Sequence, residues 1–236
     1  MKIVSWNCNL NFAKKYEHIE YMDADVCIIQ ECEKLNEDYF PNSKFFWTGR
    51  IEKKGLGILI KNGSACLDSS HNQDLINFLP IRSDNLKILG VWAYNHRAKK
   101  FGDNVSGETI QAIESYKEWL VEADMPCVFG GDFNNSVVWD RPNNKNNFQN
   151  INSQLENLGF VSAYHTSNDD DFGSEESATF YHTKQESKKY HIDYLYLKSI
   201  EFSSVELGNY DEWIKLSDHV PIMVECINSW KLLVGT

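Results

Sequence analysis

What this sequence has least of is fixed positive charge. Its 236 residues include four arginines (Arg50, Arg82, Arg97 and Arg141), and the formal net charge is −11. Broad affinity for duplex nucleic acid comes from neutralising many phosphates, so this balance weighs against a chain that grips polyanions with its own side chains. A phosphoester can still be held through a divalent cation, which supplies the positive charge the side chains lack. Proline is scarce too, with five residues and no spacer built from them. No Gly/Ser run or charge block divides the chain, so one domain over residues 1–236 is expected. No period indicates repeats. No apolar run approaches the length of a membrane span, and the strand pattern that begins at Met1-Lys2-Ile3-Val4 leaves no room for a signal peptide. The six cysteines, Cys8, Cys27, Cys32, Cys66, Cys127 and Cys226, lack paired metal-type spacing. That argues against zinc and for reduced core thiols in a cytoplasmic protein. Ser-His-Asp and Cys-His arrangements, a Walker-type loop and a dinucleotide glycine loop are also missing.

What is present is a substantial core: 42% hydrophobic residues and seven tryptophans. Lys2 to Trp6 reads as a first strand ending at Asn7. Phe12 to Met22 has helical spacing, with Asn11 as a plausible N-cap. Val26 to Ile29 reads as a short buried strand that stops at Gln30-Glu31. Short strands follow at Lys44–Trp47, Leu56–Lys61, Cys66–Asp68 and Lys87–Tyr94, with Gly55-Leu56-Gly57 marking a bulge or tight entry. Ser106 caps a helix running to about Glu122, with Ile110, Ile113, Tyr116, Trp119 and Leu120 as its apolar face. A second helix, Ile151–Leu158, closes at Gly159. Ser177–Tyr181 and Tyr190–Leu197 read as a hairpin pair.

The stretch that organises the chain is Phe129-Gly130-Gly131-Asp132-Phe133-Asn134. An apolar strand closed by two glycines there displays Asp132 and Asn134 side by side, a pair able to orient a water and hold an anionic oxygen. An ordinary Asp/Asn turn is the plainer reading. Glu31 repeats the pattern, as a carboxylate where a buried strand stops. Tyr94-Asn95-His96-Arg97, followed by Lys99 and Lys100, ends another strand with hydrogen-bonding side chains, or is a solvated loop. Asp193 shares a strand face with His191 and Leu195, so if buried it needs a partner, as a salt bridge or as a catalytic orienter. Asp218-His219 precedes the last strand, and imidazole is the side chain most easily poised near neutral pH. Asp169-Asp170-Asp171 with Glu175-Glu176 forms an acidic loop expected to be solvated. Lys184, Lys188 and Lys189 either touch substrate phosphates or face water. Carboxylates, one histidine and two asparagines at strand ends suit a hard cation such as Mg²⁺ and metal-assisted attack of water on phosphorus.

Ser5-Trp6-Asn7, Ile29-Gln30-Glu31, Gly131-Asp132-Phe133-Asn134, His191-Ile192-Asp193-Tyr194 and Ser217-Asp218-His219-Val220-Pro221 occur in the order found in the endonuclease/exonuclease/phosphatase superfamily. The chain resembles that superfamily over nearly its whole length. Its members include exonuclease III-like apurinic endonucleases, pancreatic deoxyribonuclease, sphingomyelinases and inositol polyphosphate 5-phosphatases. The resemblance implies an α/β (α+β) chain folded as a four-layer α/β-sandwich, two packed and mostly antiparallel sheets flanked by helices. It implies Mg²⁺ or Mn²⁺ as cofactor, with Glu31 as principal ligand, Asn7 as its neighbour and Asp218 as a further metal-side carboxylate. It makes Asp132 the residue that aligns or deprotonates water, with Asn134 beside it, and Asp193–His219 the pair at the scissile phosphate. Tyr94 falls where apurinic endonucleases carry a phosphate-contacting Tyr. Two positions depart from the family pattern: His191 replaces a frequent Arg, and position 9 is Asn rather than Asp. The expected activity is hydrolysis of a phosphodiester in nucleic acid, short or single-stranded strands favoured, by a monomer. A hydrolase of small or lipid phosphoesters is the second reading, and a phosphoester-binding module without catalysis the third.

Overall fold

The computed structural model describes residues 1–40, 42–61, 64–94, 108–122 and 125–227. Among them the strands are β1 (Lys2–Asn7), β2 (Val26–Cys32), β3 (Ser43–Ile51), β4 (Lys54–Lys61), β5 (Ala65–Leu67), β6 (Phe78–Ser83), β7 (Lys87–Trp92), β8 (Cys127–Asp132), β9 (Val161–Ser162), β10 (Phe180–Tyr181), β11 (Lys189–Tyr190), β12 (Asp193–Lys198), β13 (Phe202–Leu207) and β14 (Ile222–Cys226). The helices are α1 (Tyr16–Tyr21), α2 (Glu108–Ser115), α3 (Lys117–Val121), α4 (Phe148–Asn157), α5 (Ala163–Asn168) and α6 (Tyr210–Trp213). One six-stranded sheet has the order β13-β14-β1-β2-β4-β3, and the other β5-β6-β7-β8-β12-β9. Only β1–β2 and β7–β8 pair in parallel among these neighbours.

The period-2 alternation of each strand builds the layers. Ile3, Val26, Ile28, Ile58, Ile88, Val128, Leu195 and Val224 form one buried cluster between the sheets. Val4, Trp6, Ile19, Cys27 and Ile29 pack the outer face of the first sheet against α1. Phe129, Tyr194 and Tyr196 pack the outer face of the second against Ile113, Leu120, Ile151 and Leu155 of the helices. The expected four-layer sandwich is the observed fold.

The same alternation positions the site. Counting along the inward faces, β1 runs Ile3, Ser5, Asn7; β2 runs Val26, Ile28, Gln30; β8 runs Val128, Gly130, Asp132; and β12 starts with Asp193 before Leu195 and Leu197. At one end the inter-sheet core therefore becomes polar, where parallel strands finish and antiparallel β12 begins. The register pairs Asp193 directly with Asp132.

Several sequence expectations change. Gly130 and Gly131 do not close β8 but lie within it. A Cβ on Gly130 would meet Leu195 Cδ2 at 2.4 Å, and one on Gly131, at φ +144°, would meet the Val91 carbonyl oxygen at 2.0 Å. The glycines let neighbouring chains approach, as well as turn. Phe12–Met22 is a 3-10 turn at Phe12–Lys14 followed by α1, and Asn11 makes no side-chain cap because it is left-handed at φ 54°. Asn9, Leu10 and Asn11 are left-handed in succession, which breaks the helical start. The Ser177–Tyr181 and Tyr190–Leu197 hairpin exists only as β10–β11, since β12 pairs with β8 and β9. Ser106 lies outside the described residues. Strand β6 escaped the sequence reading because Pro80 interrupts its apolar run.

Candidate active site

Asp132 ends β8 with no exposed surface. Its Oδ2 accepts from Asn7 Nδ2 at 2.9 Å and from Asn134 Nδ2 at 2.8 Å, and its Oδ1 accepts from the Asn134 backbone N–H at 2.8 Å. Asn134 is left-handed at φ 48°, a conformation asparagine tolerates, and this bends the chain back so that one residue donates twice. Its amide also donates to the Ala93 carbonyl at 3.0 Å. Burial pushes the Asp132 carboxyl up, and the Asp193 charge adds to this; His219 and the donors from Asn7 and Asn134 oppose it, leaving it at about 7.

His219 Nδ1–H donates to Asp193 Oδ2 at 2.8 Å, with both side chains buried. Burial alone would push this imidazole down. The Asp193 carboxylate, as charge and as acceptor, with Asp132 and Asp218, outweighs burial and raises it to about 9. Thr179 Oγ1 accepts from the backbone N–H groups of Ile192 and Asp193, at 3.1 and 3.0 Å, and fixes the entry to β12. Asp193 Oδ1 is buried with no hydrogen-bond partner. Ligand-capable atoms of Asp132, Asp193 and His219 all lie within 4.8 Å of one another.

Glu31 sits at a bulge, where the β2–β4 register shifts between Gln30 and Cys32, and its φ is +60°. A left-handed glutamate stores strain on the order of 1–3 kcal/mol, which the surrounding ladder must offset. The bulge aims the carboxylate into the cleft: Oε1 lies 3.5 Å from Asn7 Nδ2, and Oε2 lies 2.9 Å from Lys54 Nζ. Asp218 Oδ1 accepts from Asn9 Nδ2 at 2.9 Å. Asn9 N–H in turn donates to Asn7 Oδ1 at 3.1 Å, and Ser217 Oγ donates to the Asn7 carbonyl at 2.7 Å. A connected polar network thus joins Glu31, Asn7, Asp132, Asn134 and Asp218, with Asp193 and His219 against Asp132.

Tyr94 stands at the same rim, its backbone N–H donating to Glu108 Oε2 at 3.0 Å and its ring 40% exposed. Asn95, His96, Arg97, Lys99 and Lys100 lie outside the described residues. His191 is buried, and burial pushes it down to about 4, so it is a neutral residue where the family often has Arg. The acidic loop is not merely solvated. Glu175 accepts from the Gly173 N–H at 3.0 Å and pairs with His165 Nε2 at 3.1 Å, while Asp170 accepts from the Tyr164 hydroxyl at 2.9 Å.

Sequence reasoning missed Lys54, which local spacing does not mark, and Thr179, whose neighbours pattern only as a strand. It also missed Phe180, whose ring packs 4.7 Å from the His219 ring and shields one side of the imidazole. No helix among the described residues is long and apolar enough to cross a membrane.

No protein-family model matches this sequence, and no curated protein matches it. Solved structures do match in fold. An AP endonuclease from Archaeoglobus fulgidus superposes with TM-score 0.68 at 15% identity, covering 97% of this chain and 100% of that chain. A 3'-5' exonuclease from Neisseria meningitidis gives 0.66 at 16% identity, covering 96% and 99%. An endonuclease/exonuclease/phosphatase family protein from Leptotrichia buccalis gives 0.65 at 15% identity, covering 97% and 100%. The chain therefore shares the four-layer fold of these three solved structures.

Proposed function

We propose that this chain is a divalent-metal-dependent phosphoesterase that hydrolyses a phosphodiester of nucleic acid, with short or single strands favoured. The observation that carries this reading is the Asp132–Asp193–His219 group, three buried titratable side chains within 4.8 Å at the rim between two sheets. Their environments separate a base near neutrality from an imidazole that stays charged, the division of roles acid–base chemistry requires. The AP endonuclease and 3'-5' exonuclease names of the fold neighbours support the same reaction class.

The residues fit a hard cation such as Mg²⁺ or Mn²⁺. Their donors are mainly oxygens, and Asp193 Oδ1 is a buried acceptor without a donor. We assign the ion to Glu31, Asn7 and Asp218, which hydrogen bonds through Asn7 and Asn9 link into one network with Asp132. When bound, such an ion polarises phosphoryl oxygens as a Lewis acid. Asp132 has three of its four lone-pair sites engaged by Asn7 and Asn134, so one is left to accept a proton from water. A carboxyl at about 7 is matched to that task at neutral pH. His219, held in one tautomer by Asp193, presents an imidazolium that stabilises charge developing on phosphoryl oxygens or protonates the leaving oxygen. Tyr94 serves as a further phosphate contact from the rim.

The net charge of −11 favours a substrate with few phosphates outside the cleft. A panel of single- and double-stranded DNA and RNA, nucleotides, lipid phosphodiesters and sugar phosphates, each with and without EDTA, tests the reading. Cleavage of a nucleic-acid strand that stops on chelation is expected. Turnover unchanged by EDTA overturns the metal role, and exclusive turnover of lipid or sugar phosphates replaces the substrate class.

A further inference from the structure

The order β14-β1-β2-β4 in the first sheet lays the rim residues out in a row: Asp218 and His219 before β14, Asn7 on β1, Glu31 on β2 and Lys54 at the start of β4. Lys54 Nζ lies 2.9 Å from Glu31 Oε2 and 5.1 Å from the centre of the Trp92 ring. Trp92 belongs to the other sheet and pairs there with Asp132. The ammonium is thus braced across the mouth of the cleft by a carboxylate on one side and an aromatic face on the other. It is also the more open member of its pair, at 36% side-chain exposure against 19% for Glu31. Of its three N–H donors, the Glu31 oxygen takes one.

Glu31 stands between Lys54 and the rest of the network, with its Oε2 facing Lys54 Nζ and its Oε1 facing Asn7 Nδ2. His219 bonds Asp193 beside Asp132, so Lys54 and His219 stand at opposite ends of the row. Once a cation neutralises Glu31, the charge of Lys54 is uncompensated and faces the cleft on the β4 side.

We propose that Lys54 is a specificity residue that binds a phosphate neighbouring the scissile one, matching the site to substrates with at least two phosphates, such as a short nucleic-acid strand. This rests on the phosphoesterase reading above and names the substrate feature that reading leaves open.

The test uses Lys54→Met, which keeps the apolar stem against Trp92 and removes the ammonium, with Lys54→Arg as rescue. With saturating Mn²⁺, kcat and KM are measured on a short single-stranded oligonucleotide and on bis(p-nitrophenyl) phosphate, a diester with one phosphate. With Mn²⁺ still saturating, the affinity for a cleavage-resistant phosphorothioate oligonucleotide is followed against salt by fluorescence anisotropy, and Mn²⁺ affinity is measured by calorimetry without substrate. Lys54→Met is expected to raise oligonucleotide KM about tenfold with kcat little changed and to lower the salt slope by about 0.7. The one-phosphate ester kinetics stay at wild-type values, Mn²⁺ affinity holds or rises because the ammonium no longer competes for Glu31, and Arg restores KM. Equal losses on both substrates, an unchanged salt slope, or weakened Mn²⁺ binding overturn the proposal, the last by making Lys54 a positioning residue for Glu31. A wild type that cleaves the one-phosphate ester but neither binds nor cleaves the oligonucleotide overturns this inference and the nucleic-acid substrate class, and leaves the phosphoesterase chemistry standing. One inert on every phosphoester takes the phosphoesterase reading down with it.

Discussion

Asn7, at the end of β1 in one sheet, donates its amide to Asp132 Oδ2, at the end of β8 in the other, across 2.9 Å and out of contact with solvent. This bond ties the two sheets together where their shared core turns polar. It also favours the ionised form of Asp132, against the burial that opposes it.

Asn7→Ala should therefore raise the Asp132 pKa further, moving the acid limb of the rate–pH profile upward and lowering kcat at pH 7. A loss of one preorganised donor typically costs on the order of 10²-fold. Because Asn7 is also assigned to the ion, the profile is taken at saturating Mn²⁺. An acid limb that stays in place would show that the Asn7–Asp132 bond does not set the base.

Asp193 and His219 are expected to act as one unit. Asp193→Asn removes the charge that holds the imidazole protonated, and His219→Ala removes the imidazole, each costing on the order of 10²–10³ in kcat. The double variant should be little worse than either single, since groups that work together are not additive. Fully multiplicative losses in the three kcat values would separate the two residues.

Activity should follow a bell in pH. It rises as Asp132 deprotonates through about 7 and falls as His219 loses its proton through about 9, the two limbs belonging to the coupled group rather than to single residues. Stability carries its own sign. His219 is raised above its unfolded value of 6.5, so its stabilisation is full below pH 6.5 and is lost as pH rises through about 9. In EDTA, the difference in melting temperature between wild type and His219→Gln should shift against the wild type from pH 6.5 to 9. A constant difference over that range would contradict the linkage.

His191 has the opposite sign. Buried and neutral at about 4, it binds fewer protons folded than unfolded between pH 4 and 6.5, so it penalises the native state as pH falls through that window. The penalty approaches about 3 kcal/mol near pH 4. Whatever His191→Gln costs at pH 7, that cost relative to wild type should shrink steadily on acidification, as read by urea unfolding at several pH values. A cost independent of pH would mean that His191 is not held neutral by its burial.

Much of this protein was legible in its residues. Apolar alternation located most of the central strands, and it gave Asp132, Glu31, Asp193 and His219 their shared position at strand ends, because side-chain direction along a strand is a local, period-2 property. Asn134 beside Asp132 was legible for the same reason, since two residues of separation bring backbone N–H and carboxylate together within one turn. Pairing was not legible. Whether β12 joins β10 or β8 depends on which edge buries Leu195 and Tyr194 best, a comparison made across the whole fold, and it is that choice which sets Asp193 opposite Asp132. Lys54 is the clearest case of the limit. Its sequence neighbours, Lys53 and Gly55, mark only a strand entry, and its meeting with Glu31 and Trp92 joins three strands from two sheets. The chain determined by itself which groups stand at the ends of its strands. Only the packing of the two sheets decided that a carboxylate on each would share one buried cleft, because the free energy that brings those ends together comes from the apolar layers behind them and not from the polar residues at the rim.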